Sequence, residues 1–206
     1  AIFNEDAGQP TPIDLAIKAL PGTELTILSP DEYAPHYAAD LTIFRDTLPD
    51  SWPTGDVMLI DPPEDMGISD PIFPPRLRQP AEISSIGSLQ VARLDPLLNG
   101  VDFSSVRWGS AWSLSEIPPE FSAIVQVGNT PILMRGEQGS SDVTVLLAHL
   151  DSGNFTKDPA FIILLANVVR GSRQTLFAEE LPLGQAIILP SMGDYQVIRI
   201  SSPMAD

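Results

Sequence analysis

The chain has no cysteine. Disulfides, a thiolate nucleophile and cysteine-ligated zinc are therefore excluded. Basic residues are scarce: 11 Lys and Arg stand against 27 Asp and Glu, for a formal net charge of −16. A surface of that sign repels a phosphate backbone and an anionic lipid face, so nucleic acid is not an expected partner. The acidity reads as a solubility device, with a cation or a basic protein partner as the sharper alternative. No run reaches the ~18 consecutive apolar residues of a membrane span, so direct insertion into a membrane is not expected. No signal peptide opens the chain. Ala1 lies within a strand-like run, which reads as a segment of a longer protein.

Glycine is sparse where a phosphate loop would need it. The turn Asn4 to Gly8 (NEDAG) has one glycine and two acids, which argues against a nucleotide there. Proline, by contrast, is abundant, with 21 residues. Its densest cluster is Asp61 to Ala81, read as an extended surface excursion. Within that stretch Asp61, Glu64, Asp65 and Asp70 match no calcium-loop spacing and read as a solvated loop.

The opening residues predict strand, helix, strand. Ala1 to Asn4 is an apolar run. Thr11 is placed to cap a helix that begins with Pro12, carries Asp14 in its first turn and stops at Pro21-Gly22. Ile13, Ala16, Ile17 and Leu20 share its apolar face. Glu24 to Leu28, Leu41 to Phe44 and Asp56 to Ile60 follow as strands. The near-continuous apolar runs suit a parallel sheet covered on both faces. Pro49, Pro53 and Gly55 forbid a long crossover helix between the last two. Ser88 to Arg93, Arg107 to Ser113, Ser122 to Val127, Pro131 to Arg135 and Val143 to Ala148 are further strands, antiparallel at the edge, with a tight hairpin at Val127 to Thr130. Pro159 to Arg170 is apolar nearly all round, hence a core helix, ended by Gly171-Ser172. Gln185 to Leu189 and Tyr195 to Ile200 predict a C-terminal β hairpin. The expected division is an α/β domain over 1–172 and a β extension over 173–206.

One polar cluster has a claim to be a site. His149, Asp151, Ser152 and Asn154 lie at the end of a predicted parallel strand and just ahead of a helix, where open α/β sheets bind ligands. His149 and Asp151 are two residues apart and share a face if the strand continues, so they can form a base and its orienter. No Gly-x-Ser-x-Gly elbow surrounds Ser152. A turn braced by Asp and Asn side chains is the simpler reading. The crevice also takes in Asn4, Glu5 and Asp61 from other strand ends. His36 reads as a surface histidine. Trp108 and Trp112 share strand parity, which suits either core packing or an exposed binding face.

Four stretches taken together, LPGTELTILSPDEYA, LPDSWPTGDVMLIDPP, DPLLNGVDFSSV and PILMRGEQGSSDVTVLLAHLDSGNFTKDPAFIILLANVV, carry a family likeness across most of Ile13 to Val169. The chain resembles the class I glutamine amidotransferase-like domain of bacterial Bat-type (aerotolerance-like) proteins that carry a von Willebrand factor A domain. The resemblance implies a flavodoxin-like three-layer α/β sandwich, mostly parallel with antiparallel edge strands, in an envelope-associated parent. A true amidotransferase requires a cysteine on a strand-to-helix elbow, and this chain has none. The A domain's metal motif is not here either, since Asp102-Phe-Ser-Ser has the wrong spacing. The expectation is a non-catalytic structural or protein-interaction module with no cofactor and no metal. The alternative is a hydrolase-like enzyme or small-ligand binder using the crevice around His149 and Asp151.

Overall fold

The computed structural model describes residues 1–4, 11–34, 38–49, 51–63, 77–83, 89–92, 94–114, 116–139 and 141–175. The parallel half of the sheet comes first in the chain. β1 (Ile2–Asn4), α1 (Pro12–Lys18) and β2 (Ile27–Leu28) form the first crossover. Thr11 and Asp14 build a reciprocal capping box at the start of α1, each side chain bonding the other's backbone N–H. The cap satisfies N–H groups that a helix start leaves open and fixes where the helix begins. β3 (Leu41–Arg45) and β4 (Asp56–Ile60) follow, and every residue of β4 is buried.

β5 (Leu77–Glu82) pairs with β7 (Ser110–Leu114) in a two-stranded ribbon, while β6 (Leu89–Val91), β8 (Phe121–Val127), β9 (Thr130–Gln138) and β10 (Ser141–Leu146) enter the main sheet. The main sheet runs β2-β1-β3-β4-β10-β9-β8-β6. Pairs from β2 through β10 are parallel; β10–β9, β9–β8 and β8–β6 are antiparallel. The parallel portion is the 2-1-3-4-5 order of flavodoxin-like folds. α2 (Pro159–Thr175) packs beside α1 on one face.

That face holds the larger core: Ile13, Ala16 and Ile17 of α1 and Phe161, Leu164, Leu165 and Val168 of α2 against Ile2, Ile43, Met58, Ile60 and Leu146 of the sheet. The opposite face buries Phe44, Val57, Leu59, Val143, Val145 and Met134. Neither described α-helix contributes to it. Trp112 and Leu114 of β7, with Tyr33, Leu48, Trp52 and Ile117, cover it instead. The third layer of the sandwich is thus a β ribbon and irregular segments. Pro49 and Pro53 in the connection between β3 and β4 disfavour a long crossover helix on this face.

Two sequence expectations need revision. The proline-rich excursion contains β5, which pairs with β7 through a register shift at Arg78/Pro80. Proline cannot donate to a ladder and is accommodated at such an irregularity. Gly171-Ser172 does not end α2, which continues to Thr175 through the expected domain boundary. A helical glycine costs only about 1 kcal/mol. Ser172 is buried and returns its hydroxyl proton to the Val169 carbonyl. The expected C-terminal hairpin lies outside the described residues. No described helix is long and apolar enough to cross a membrane.

Phe161 is 1% exposed and meets the Phe155 ring edge-on, whereas Leu15 on α1 is 59% exposed. Phe161→Ala should cost about 3–5 kcal/mol by urea unfolding. Leu15→Ala should stay within about 0.5 kcal/mol, because little packing is lost at a surface position.

Candidate functional site

β4 is apolar to its last residue, and the next residue is Asp61. Its φ is +49°. Among residues other than glycine, Asp and Asn reach this left-handed region most readily. A residue ahead of proline is ordinarily extended, so Asp61 before Pro62 is strained on two counts. Its N–H donates to the Leu146 carbonyl at 3.0 Å. β3 ends in the same way: Asp46 has φ +53°, and its N–H donates to the Ile60 carbonyl at 3.1 Å. Adjacent parallel strands therefore each finish on an aspartate hooked onto the strand beside it.

β10 runs on past Leu146 as a bridge to β7. Trp112 N–H donates to Leu147 O at 3.0 Å, and His149 N–H donates to Ser110 O at 2.9 Å. This short pairing sets Trp112 and His149 against Asp61. His149 Nδ1 lies 2.6 Å from Asp61 Oδ1, and Trp112 Nε1 donates to the same oxygen at 3.0 Å. The indole and imidazole rings meet edge to face at 4.8 Å and 67°. The Asp61 and His149 side chains are each 19% exposed. His149 Nε2 is buried and has no hydrogen-bond partner among the described residues.

Burial pushes the Asp61 carboxyl above its ordinary value. His149, through charge and hydrogen bond, then the Trp112 N–H and the Arg45 charge, all oppose the rise. Arg45 itself lies against Asp46, with Nε to Oδ2 at 3.1 Å. The arrangement can hold an imidazole in one orientation with its second nitrogen uncommitted, which suits recognition of a polar group or transfer of a proton. Among the described residues no three acidic or histidine side chains converge as a metal site.

The turn after His149 has a different part. Ser152 Oγ accepts from Ser110 N–H at 2.8 Å and donates to His149 O at 2.8 Å. Asn154 Oδ1 accepts from Arg107 N–H at 2.6 Å, and its amide donates to Ser105 O at 3.2 Å. Both side chains staple the 105–110 segment to the turn. The two backbones approach so closely that a Cβ on Gly109 would lie 1.8 Å from Ser152 O, and one on Gly153 would lie 2.3 Å from Arg107 O. Asp151 is exposed, and its carboxylate has no hydrogen-bond or ion-pair partner among the described residues. The expected His149–Asp151 pair does not form: the chain turns immediately after His149, which removes the strand geometry that would have put them on one face.

Asn4 ends β1 opposite Arg45, and Glu5 lies outside the described residues. Of the expected crevice, Asp61 and His149 come into contact, while Ser152 and Asn154 brace the turn. Sequence reasoning did not assign Trp112, Arg45 or Asp46 to the site. The available signal was the repeated pattern of an apolar strand ending on aspartate, in LTIFRD and in VMLID. Trp108 takes the packing role, tilted against Phe103 and Phe155.

No family model matches this chain, and no curated protein matches it. Its fold is shared with solved structures. A protein of Salmonella typhimurium described as cytoplasmic superposes with a TM-score of 0.60 at 12% identity, over 78% of this chain and 85% of that one. A second cytoplasmic protein, from Salmonella typhimurium LT2, gives 0.58 at 11% identity over the same shares. A Thermoplasma acidophilum protein described as a subunit of GMP synthase gives 0.49 at 11% identity, over 84% and 96%. The flavodoxin-like α/β class follows from the strand order. The expectation of an envelope-associated parent is overturned, because both Salmonella proteins are described as cytoplasmic.

The raised Asp61 carboxyl has a signed consequence. The folded chain holds this proton more tightly than the unfolded chain. The group therefore favours the folded state most below the ordinary value of 3.8, and that contribution is lost as pH rises through the folded midpoint. Asp61→Asn should flatten the stability–pH profile across that window, as measured by urea unfolding in small pH steps.

Proposed function

We propose that this chain is a recognition domain of amidotransferase-like architecture that works without thiol chemistry. The sheet is scaffold. The working surface is the strand-end site of Asp61, His149 and Trp112, and it binds a polar group of a partner protein or small ligand. One observation carries the reading: a half-buried imidazole is oriented by a carboxylate 2.6 Å away, while its other nitrogen is buried and unpartnered among the described residues. A buried polar atom without a partner costs on the order of 1–3 kcal/mol, which a bound ligand group can recover. The strain at Asp61 adds weight, because left-handed backbone at a non-glycine residue concentrates at functional sites.

A non-catalytic role accords with the missing cysteine that the resembled architecture needs for turnover. A hydrolase-like reading has one specific point in its favour, the same carboxylate-oriented histidine, which is the arrangement of a general base.

Thermal-shift screening of a polar fragment library, with ester and amide turnover measured in parallel, separates the readings. Wild-type protein should gain melting temperature with specific fragments and show no turnover above buffer. His149→Ala should keep its far-UV circular dichroism, lose about 1–3 kcal/mol because Asp61 forfeits a partner, and lose those fragment shifts. Hydrolysis abolished by His149→Ala would establish the enzyme instead, and fragment shifts indifferent to His149 would place the working surface elsewhere.

A further inference from the structure

We infer that Asp61 holds the His149 proton on Nδ1, so that Nε2 is an acceptor and the ligand group taken here is an O–H or N–H donor. A hydroxyl or an ammonium fits, and a carboxylate or phosphate does not. This rests on the strand end being a binding site and names the chemistry of what binds.

The argument runs through one oxygen. Asp61 Oδ1 receives the Trp112 indole N–H, which can only donate, and stands 2.6 Å from His149 Nδ1. A carboxylate in that position accepts from both. A neutral imidazole has one donor and one acceptor nitrogen, so committing the Nδ1 proton to Asp61 leaves a lone pair on Nε2. That atom is buried beside the Trp112 ring and meets no donor among the described residues. Charge points the same way. The neighbouring strand end carries Asp46 paired with Arg45, so the two charges nearly cancel there, and the chain as a whole stands at −16. An anion would meet repulsion, and a cationic or neutral donor would not.

The backbone makes Asp61 more than an incidental neighbour. Position 61 is fixed in left-handed conformation by its N–H bond to Leu146. Asp, Asn and Gly tolerate that conformation best, and of these the carboxylate of Asp is the strongest acceptor for Nδ1–H. Asp61 is thus a positioning residue, acting on the ligand through His149. The same tolerance supplies variants that alter the side chain without new backbone strain.

Long-range 1H–15N correlation spectra of the labelled chain at neutral pH read the tautomer directly. His149 is assigned as the histidine whose signals vanish in His149→Gln while those of His36 persist. Wild type should show the proton on Nδ1. Asp61→Asn should keep it there through the amide oxygen, and Asp61→Gly should return it to Nε2, the form preferred in water. Ethylene glycol, ethylammonium and acetate are then titrated separately. A saturable Nε2 shift with glycol or ethylammonium, absent in Asp61→Gly, supports the assignment. Loss of the ethylammonium shift at high salt, with the glycol shift unchanged, identifies an ammonium as the charged source. A wild-type proton on Nε2, or a response to acetate alone, overturns the donor assignment while leaving the binding site standing. No response to any of the three overturns it as well. An empty fragment screen besides would take the site reading down with it.

Discussion

Four backbone hydrogen bonds around Leu146, Leu147 and His149 hold this structure's two halves and its candidate site together. Asp61 N–H binds Leu146 O from the parallel side, and Leu147 N–H binds Ile132 O on the antiparallel side. Trp112 N–H binds Leu147 O, and His149 N–H binds Ser110 O, bringing in the ribbon that covers the second face. The segment is the junction of every layer. Its residues 146–148 are buried, so an unmade bond there would leave a polar group without water.

That junction explains why the site lies where it does. A parallel sheet delivers its strand ends to one rim, and ligands in open α/β folds bind along that rim. Here β4 and β10 deliver Asp61 and His149 side by side. The ribbon then sets Trp112 against both of them. The 105–110 segment, stapled by Ser152 and Asn154 and pressed close at Gly109 and Gly153, keeps the far end of the ribbon in register. The side chains that look most like ligand contacts in the turn therefore hold the shape of the site instead of lining it.

The antiparallel half has its own electrostatic fastening. Arg135 on β9 reaches Asp142 on β10 at 2.8 Å and Asp95 at 3.6 Å. Asn167 on α2 donates to the carbonyls of Leu97 and Asn99, tying the helix to the turn after β6. In so acidic a chain these few cationic and amide groups draw connections together where carboxylates alone would repel.

Much of the architecture was legible from local pattern. The apolar runs of β3, β4 and β10, the capping signals around Thr11 and the apolar run that opens α2 declare themselves, because buried faces and helix ends impose residue types over short windows. The absence of a thiol was equally plain. β5 was hidden by Pro80 and the prolines ahead of it, and the length of α2 by Gly171, since a register irregularity and a tolerated helical glycine leave no short-range signature. The partner of His149 was hidden more deeply. Asp61 stands 88 positions away from His149 along the chain and meets it only because β4 and β10 are neighbours in the sheet. Sequence determined which elements form, their apolar faces and the chemistry that is ruled out. Only tertiary structure decided which carboxylate orients the histidine, because strand adjacency is settled by packing among distant segments, and a two-residue spacing carries no geometry once the chain turns.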